Sequence, residues 1–268
     1  MKKSITSLFV ILGLTFGFAQ ENDFPEFTGD NFSLEGALAL FKKSNSLEEF
    51  EKMLNQEDNN VNNLDLNNDG NIDYINVDDI QENNTHIIVI STFLNETEKQ
   101  DIATIGIEKI AKEEATLQIE GDEELYAENT IVEPFDTIDN PEKSKGGPNV
   151  ATISTQRVFV NVWFWPSVRF LYAPNYETWV SPNRWGFYPR WWKPWRPFRH
   201  SFFYGRCATH KVFFHRTSNR RMFFMKAMYS PRRNYSKIIV HRNKKTEVIF
   251  KNNNRRGNSF KILRRGRR

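Results

Sequence analysis

Apolar residues in the first part of the chain recur at helical spacing and predict two short amphipathic helices. These residues are Leu34, Leu38, Phe41, Phe50 and Leu54. Ser33 precedes the first run. Ser46, followed three residues later by Glu49, precedes the second in a capping-box pattern. We therefore expect one helix to begin after each serine.

From residue 74 onward the apolar period changes from helical to alternating, which is typical of strands. The alternating runs are residues 74–77, 86–93, 102–107 and 115–119, with residues 82–84 as a hairpin turn. Helices followed by a run of strands favour an α+β fold. The prediction is two short helices packed on a small antiparallel sheet.

The second part of the chain is aromatic and is interrupted by proline. Residues 157–165 are aromatic and β-branched and predict a strand. Six prolines then follow between Pro166 and Pro197, so we expect only short strands and turns, an irregular or β region. Residues 252–268 are polar and rich in arginine, which predicts a disordered tail.

Charge divides the chain into two opposed parts. Residues 20–150 contain 31 acidic and 8 basic residues, a net charge of −23, and residues 151–268 contain 2 acidic and 27 basic residues, a net charge of +25. The predicted organisation is a signal peptide at 1–19, an acidic α+β module at 20–133, a linker at 134–156, a basic aromatic module at 157–251 and the tail at 252–268. Opposed charges on one chain predict contact between the two modules.

The amino terminus has the pattern of a secretory signal peptide. Lys2 and Lys3 precede an apolar run at residues 8–18, and the small residues Gly17 and Ala19 predict cleavage before Gln20. The run is shorter than the roughly 20 residues that span a bilayer. We expect an exported protein, periplasmic or secreted, with no membrane span after cleavage. The alternative is an anchor that stays uncleaved.

Cys207 is the single cysteine, so it cannot form a disulfide within the chain. We expect it to be a small buried residue. The alternative is a site of accidental dimerisation.

Residues 65–73, Asp-Leu-Asn-Asn-Asp-Gly-Asn-Ile-Asp, alternate oxygen-bearing side chains around a glycine. Calcium takes six to eight oxygen ligands, and a tight loop supplies them when such side chains alternate and the backbone turns sharply. The candidate calcium ligands are Asp65, Asn67, Asp69, Asn71 through its backbone carbonyl, and Asp73.

This stretch resembles the EF-hand family and its extracellular relatives, which carry a DxNxDG loop. The resemblance covers about a dozen residues and implies a calcium (Ca²⁺) site without implying a reaction. The sequence departs from the family at the twelfth loop position, where Asn76 replaces the bidentate glutamate, and a strand is predicted after the loop. This favours a structural site of extracellular affinity. The alternative is an Asn/Asp turn that binds no metal tightly.

All seven tryptophans lie between Trp163 and Trp195, among cations and prolines. Such rings suit stacking on sugars or bases and insertion at a lipid headgroup layer. The alternative is that they form an aromatic core with arginine stacked on their faces. The candidate partner-binding residues here are Trp185, Trp191, Trp192, Trp195 and Arg196.

Arginine pairs in the tail form a strip suited to polyanions, through a salt-dependent attraction. The candidates are Arg264, Arg265, Arg267 and Arg268. The alternative is a solvated tail neutralised by the acidic module. An exported location disfavours a specific nucleic-acid target and favours an anionic polymer or envelope component.

No sequence pattern indicates catalysis. His200, His210 and His215 have no acidic neighbour in sequence, and we expect them to be protonated or packed on aromatics. Three hypotheses follow: a non-enzymatic exported calcium-binding protein with an anion-binding basic half, a carbohydrate-binding or cell-wall-associated module, and an enzyme without a recognisable motif. The overall layout also resembles exported bacterial proteins that combine a calcium-type loop with a WWxPW stretch. The first hypothesis is preferred.

Overall fold

The structure is a computed structural model that describes residues 25–141, 153–212 and 214–244. The predicted signal peptide at 1–19 and the predicted tail at 252–268 lie outside these ranges. The tail candidates Arg264, Arg265, Arg267 and Arg268 lie outside them as well.

Within these ranges, seven antiparallel strands form the sheet. The strands are β1 (Asn76–Glu82), β2 (Thr85–Phe93), β3 (Lys99–Ala111), β4 (Glu114–Gly121), β5 (Ile131–Pro141), β6 (Ile153–Phe159) and β7 (Phe214–Thr217). Strands β1 to β6 follow one another in chain order, and β7 pairs with β5. The α+β class and the antiparallel sheet expected from the sequence are confirmed.

Two helices precede the sheet, α1 (Leu34–Lys43) and α2 (Leu47–Leu54). Each begins after a serine whose hydroxyl oxygen accepts a backbone N–H of the first turn: Ser33 from Gly36 at 2.9 Å, and Ser46 from Glu49 at 3.1 Å. These bonds satisfy N–H groups that have no partner inside a helix. The carboxylate of Glu49 accepts the N–H of Asn45 at 2.7 Å, one residue before the position that a capping box requires.

Helices are also present in the proline-rich half. They are α3 (Pro166–Leu171), α4 (His200–Cys207), α5 (Phe223–Tyr229) and α6 (residues 237–244). The expectation of strands and turns alone was therefore wrong. Pro166 occupies the first position of α3, where a helix needs no N–H donor, and α4 to α6 lie in the spaces that the later prolines leave.

Three predicted boundaries also change. The strand expected at 74–77 begins at Asn76 and continues to Glu82, because Asp78 and Asp79 pair with Val89 and Ile88 of β2 despite their charge. The predicted linker at 134–156 contributes to the paired strands β5 and β6 at both of its ends. The strand expected at 157–165 is β6, which ends at Phe159.

The main hydrophobic core lies between the helical layer and one face of the sheet, and both halves of the chain contribute to it. From the acidic module it includes Leu34 and Ile105, and from the basic half Trp165 and Leu171, all essentially buried. Among the described residues, one core therefore joins the two halves.

A smaller cluster covers the opposite face of the sheet, where α5 packs. Met222 and Met225 contact Ile87 and Val89 of β2. Gly106 of β3 lies directly beneath, and a Cβ atom there would come within 2.2 Å of the Met225 sulfur. The absence of a side chain at Gly106 therefore allows α5 to approach the sheet.

In the part of the chain that the structure describes, no helix is both long enough and apolar enough to cross a membrane.

Candidate functional site

The DxNxDG loop is wound around its own side-chain oxygens. The Asp65 carboxylate accepts the backbone N–H of Asp69 at 3.1 Å and of Gly70 at 2.9 Å. Asn67 accepts the N–H of Asp69 at 2.9 Å, and Asp69 accepts the N–H of Asn71 at 2.8 Å. Gly70 has φ +85°, a left-handed conformation that glycine adopts without strain. Three of the five predicted ligands, Asp65, Asn67 and Asp69, thus point toward a common turn.

Asp73 differs from the other loop residues because it is buried. Its carboxylate accepts the backbone N–H of Leu66 at 2.6 Å. Burial, with smaller contributions from the charges of Asp65 and Asp69, raises the pKa of Asp73 from 3.8 to about 8. Asn71 is exposed, and its backbone N–H joins the loop network.

Among residues 25–141, 153–212 and 214–244, no three His, Cys, Asp or Glu side chains form a group that could hold a metal ion. Metal binding in the loop would therefore depend on amide and carbonyl oxygens as well as on carboxylates.

The basic half of the chain contacts this loop at two points. The Ile72 N–H donates to the Trp195 carbonyl at 2.8 Å, and the Arg242 guanidinium donates to the Leu66 carbonyl at 3.1 Å. Nearby, Asn63 and Phe198 exchange two hydrogen bonds, at 2.8 and 3.0 Å. The loop and the segment around Trp195 and Phe198 consequently hold each other in position.

The tryptophans are divided between the core and the surface. Trp165 is buried in the main core, and Trp163 and Trp179 pack against it. Among the predicted partner-binding residues, Trp191 is 45% exposed, and Trp185, Trp192 and Trp195 are half-buried. The aromatic-core interpretation therefore holds for Trp163, Trp165 and Trp179, and partner binding by the other four tryptophans stays a prediction.

Two groups of cations in the basic half differ in their partners. Four arginines between residues 216 and 233 form ion pairs with carboxylates of the acidic module. The pairs are Arg216 with Glu35 (3.0 Å), Arg220 with Glu120, Arg221 with Glu133 (3.0 Å) and Arg233 with Asp122 (2.6 Å). These four cations stabilise the contact between the two halves.

The second group lies in the segment 184–206. Its members are Arg184, Arg190, Lys193, Arg196, Arg199 and Arg206. None of them forms an ion pair within the described ranges, and all but the half-buried Arg206 are exposed. The same segment exposes Phe187 (80%), Phe202 (54%) and Tyr204 (56%). We refer to it as the cationic aromatic segment.

A groove of about 630 Å³ separates the end of α2 from the cationic aromatic segment. Its lining comprises Lys52, Asn55, Gln56, Glu57, Asp58, Trp191, Trp192, Lys193, Trp195 and Arg206. One wall is therefore aromatic, and the other is made of amides and carboxylates. No local pattern places α2 against the tryptophans, because about 140 residues separate them in the sequence.

Glu51 of α2 joins the two halves beside this groove. Its carboxylate accepts hydrogen bonds from Tyr74 and Ser181 at 2.9 Å, from Asn183 at 2.8 Å and from the Val77 N–H at 2.9 Å. Burial raises its pKa despite these donors. Glu51 is a buried positioning residue, and helical spacing alone could not distinguish it from the exposed Glu48.

A further polar cluster, which sequence reasoning did not identify, is enclosed beneath the loop at residues 172–181. His86 is fully buried, and its Nδ1 lies 2.9 Å from Asp79, which also accepts the Tyr176 hydroxyl at 2.7 Å. The His86 ring is perpendicular to the ring of Tyr172. Because Asp79 and His86 are buried and Tyr176 bonds to Asp79, the cluster ties the loop to the sheet.

The other histidines are placed separately. His200 pairs with Asn31 at 3.0 Å, and His210 pairs with the Asn59 carbonyl at 3.0 Å. His215 has no acidic neighbour in sequence, but the fold places it 3.4 Å from Glu133. Glu133 is adjacent because β7 pairs with β5. Cys207 is buried, and its thiol donates to the Asn60 carbonyl.

Comparison with protein-family models, with curated proteins and with solved structures finds no match to this chain.

Proposed function

We propose that this protein is a non-enzymatic exported binding protein that attaches to an anionic polymer of the envelope or of the extracellular medium. One observation carries the proposal. Four arginines between 216 and 233 pair with carboxylates of the acidic module, whereas the six cations of the cationic aromatic segment have no carboxylate partner in the described ranges.

Unpaired cations next to exposed rings suit a polymer that carries regularly spaced negative charge. Each anionic group that a cation neutralises releases a counterion, so affinity falls as salt rises. The predicted tail, with Arg264, Arg265, Arg267 and Arg268, would add cations to the same attachment.

The test compares retention on an immobilised anionic polymer across a salt series. Replacing Arg190, Lys193 and Arg196 by glutamine should weaken binding and flatten the dependence of log affinity on log salt by about one unit per lost contact. A matched control replaces three exposed lysines outside the segment by glutamine, so that it removes the same charge. These lysines are Lys43, Lys112 and Lys244. Equal losses in both variants would contradict a localised site.

Deleting residues 252–268 separates the contribution of the tail. We expect the truncated chain to bind more weakly and with a smaller salt slope, because fewer counterions are released. If truncation alone abolished binding, attachment would belong to the tail and not to the cationic aromatic segment.

We further propose that calcium at Asp65, Asn67, Asp69, Asn71 and Asp73 has a structural role. The loop bonds to the Trp195 carbonyl and to Arg242, so a cation that fixed the loop would also stabilise the position of the aromatic segment. Ligand binding to the native state alone adds about 2.7 kcal/mol at a hundredfold excess over the dissociation constant.

A thermal melt with calcium and with chelator tests this role. Calcium should raise the melting temperature of the unaltered chain and of the control Glu128→Ala, which alters an exposed carboxylate elsewhere. It should not raise that of Asp65→Ala or Asp69→Ala. A melt that calcium does not change would leave the loop as a metal-free turn.

A further inference from the structure

We infer that the groove beside α2 is a saccharide-binding site, so that the anionic partner is an acidic polysaccharide. This inference rests on the proposed function and specifies the class of polymer. It uses a second feature of the surface, the aromatic wall of the groove, which the charge argument does not need.

The groove has the size and the mixed lining of a ligand site. Its volume of about 630 Å³ lies within the range of about 300–1,000 Å³ that small-molecule sites occupy. Sugar rings present apolar C–H faces and a rim of hydroxyls. An aromatic wall opposite amides and carboxylates matches both of these features.

The aromatic wall is held rigidly by contacts below it. The Trp192 ring packs edge-on against Tyr74 at 5.1 Å and against Tyr188 at 4.7 Å between centroids. Trp195 is fixed through its carbonyl by Ile72. Rings that are already ordered lose little conformational entropy on binding, which favours affinity.

Trp191 is the ring in this wall that remains most open to a ligand. It is 45% exposed, and the Lys52 ammonium lies 5.8 Å from its centroid. Stacking on this ring would place a sugar carboxylate within the field of Lys52 and Lys193, both of which line the groove.

The carboxylates of the groove discriminate between classes of polyanion. Glu57 and Asp58 are exposed and line the groove. They can accept hydrogen bonds from sugar hydroxyls, whereas a polyphosphate or phosphodiester backbone offers them only negative oxygens. An acidic saccharide has hydroxyl donors that offset its repulsion from Glu57 and Asp58, whereas a phosphate polymer has none, so the phosphate polymer is disfavoured in this groove.

The test is a titration of the full chain with three probes of matched charge: oligogalacturonate, inorganic polyphosphate and single-stranded DNA. We expect Trp191→Ala to lower the affinity for oligogalacturonate about tenfold, the equivalent of one lost stacking contact. Its affinity for polyphosphate should stay within about twofold of that of the unaltered chain. The matched control is Phe187→Ala, which removes a more exposed ring (80%) of the same segment that does not line the groove. We expect it to leave oligogalacturonate binding unchanged.

A second variant protects the test against misfolding. Trp191→Phe keeps a ring with less stacking area, and we expect its loss of oligogalacturonate affinity to fall between the unaltered chain and Trp191→Ala. Equal binding of all three probes, unaffected by Trp191→Ala, would overturn the saccharide inference and leave the anion-binding proposal standing. Tighter binding of single-stranded DNA than of oligogalacturonate would also overturn the saccharide inference. If no polyanion binds, the proposed function itself fails.

Discussion

Glu51 stabilises the fold through the hydrogen bonds that its carboxylate accepts. A single buried carboxylate accepts four hydrogen bonds, from donors on β1 and its preceding segment and from the loop at 181–183. Removing an acceptor leaves buried donors without a partner, and each costs about 1–3 kcal/mol.

We therefore predict that Glu51→Ala lowers the free energy of unfolding by about 3 kcal/mol. Denaturant unfolding measures this value. Glu48→Ala, on the exposed side of the same helix, should change it by less than about 0.5 kcal/mol. Similar effects of the two substitutions would show that Glu51 does not join the two halves.

Asp101 should make stability depend on pH. Burial raises its pKa from 3.8 to about 6, although Tyr229 and Asn234 donate hydrogen bonds to its carboxylate. The folded state therefore binds the proton more tightly than the unfolded state does. Between about pH 4 and 6 this residue makes stability fall as pH rises, by at most about 1.4 kcal/mol per pH unit.

The variant Asp101→Asn should lose this contribution. We predict a flatter decline in the free energy of unfolding between pH 4 and 6 than in the unaltered chain, measured by denaturant unfolding at several pH values. Glu113→Gln, an exposed carboxyl substitution, should keep the original slope. If Asp101→Asn keeps it as well, the pKa of Asp101 is not raised in the folded state.

At the scale of elements, α5 shows how a short helix is held by one face. Met222 and Met225 face the sheet, while Phe223 and Phe224 are 72% and 75% exposed. A helix of seven residues is not stable alone, so its packing must supply most of its stability.

We predict that Met225→Ala lowers the free energy of unfolding by about 2–5 kcal/mol, because it leaves a cavity above Gly106. Phe224→Ala, although it removes a larger side chain, should change it by less than about 0.5 kcal/mol. Hydrogen exchange of α5 gives an independent measurement, and faster exchange is expected only in Met225→Ala. The reverse order of effects would mean that α5 docks through its other face.

In the molecule as a whole, ion pairs between the acidic module and the basic half join the two halves. Arg233 and Asp122 form the least exposed of the Arg–Asp/Glu pairs, with side-chain exposures of 19% and 2%. Burial raises the pKa of Asp122, and Arg233 opposes that rise. Arg233 therefore favours the charged form of this carboxylate.

We predict that Arg233→Met costs about 3 kcal/mol in unfolding free energy, because it leaves a buried charge unpaired. The double variant Arg233→Met with Asp122→Asn should recover part of this loss. Arg232→Met, at the exposed neighbouring arginine, should have little effect. Strictly additive losses in the double variant would mean that the two residues do not interact.

Features that depend on neighbouring residues could be predicted from the amino-acid sequence. The helix starts at Ser33 and Ser46, the sharp turn at Gly70 and the antiparallel strands after residue 74 were readable because spacing, caps and turn residues act within a few positions. The division of charge was also readable, and it indicated contact between the two halves.

Tertiary structure alone decided which of these residues are free to bind. Neither the ion pair of Arg233 with Asp122 nor the exposure of Trp191 beside α2 follows from any local pattern, because the partners lie more than a hundred positions apart. The strand at 131–141 was missed for the same reason, and the strand at 153–159 was predicted only from residue 157 onward. Prolines and glycines suggested a linker there, and only pairing with β4, β7 and each other makes these segments strands. Charge and aromatic content are properties of the sequence, but whether a given cation or ring is neutralised, buried or exposed depends on what the fold places opposite it.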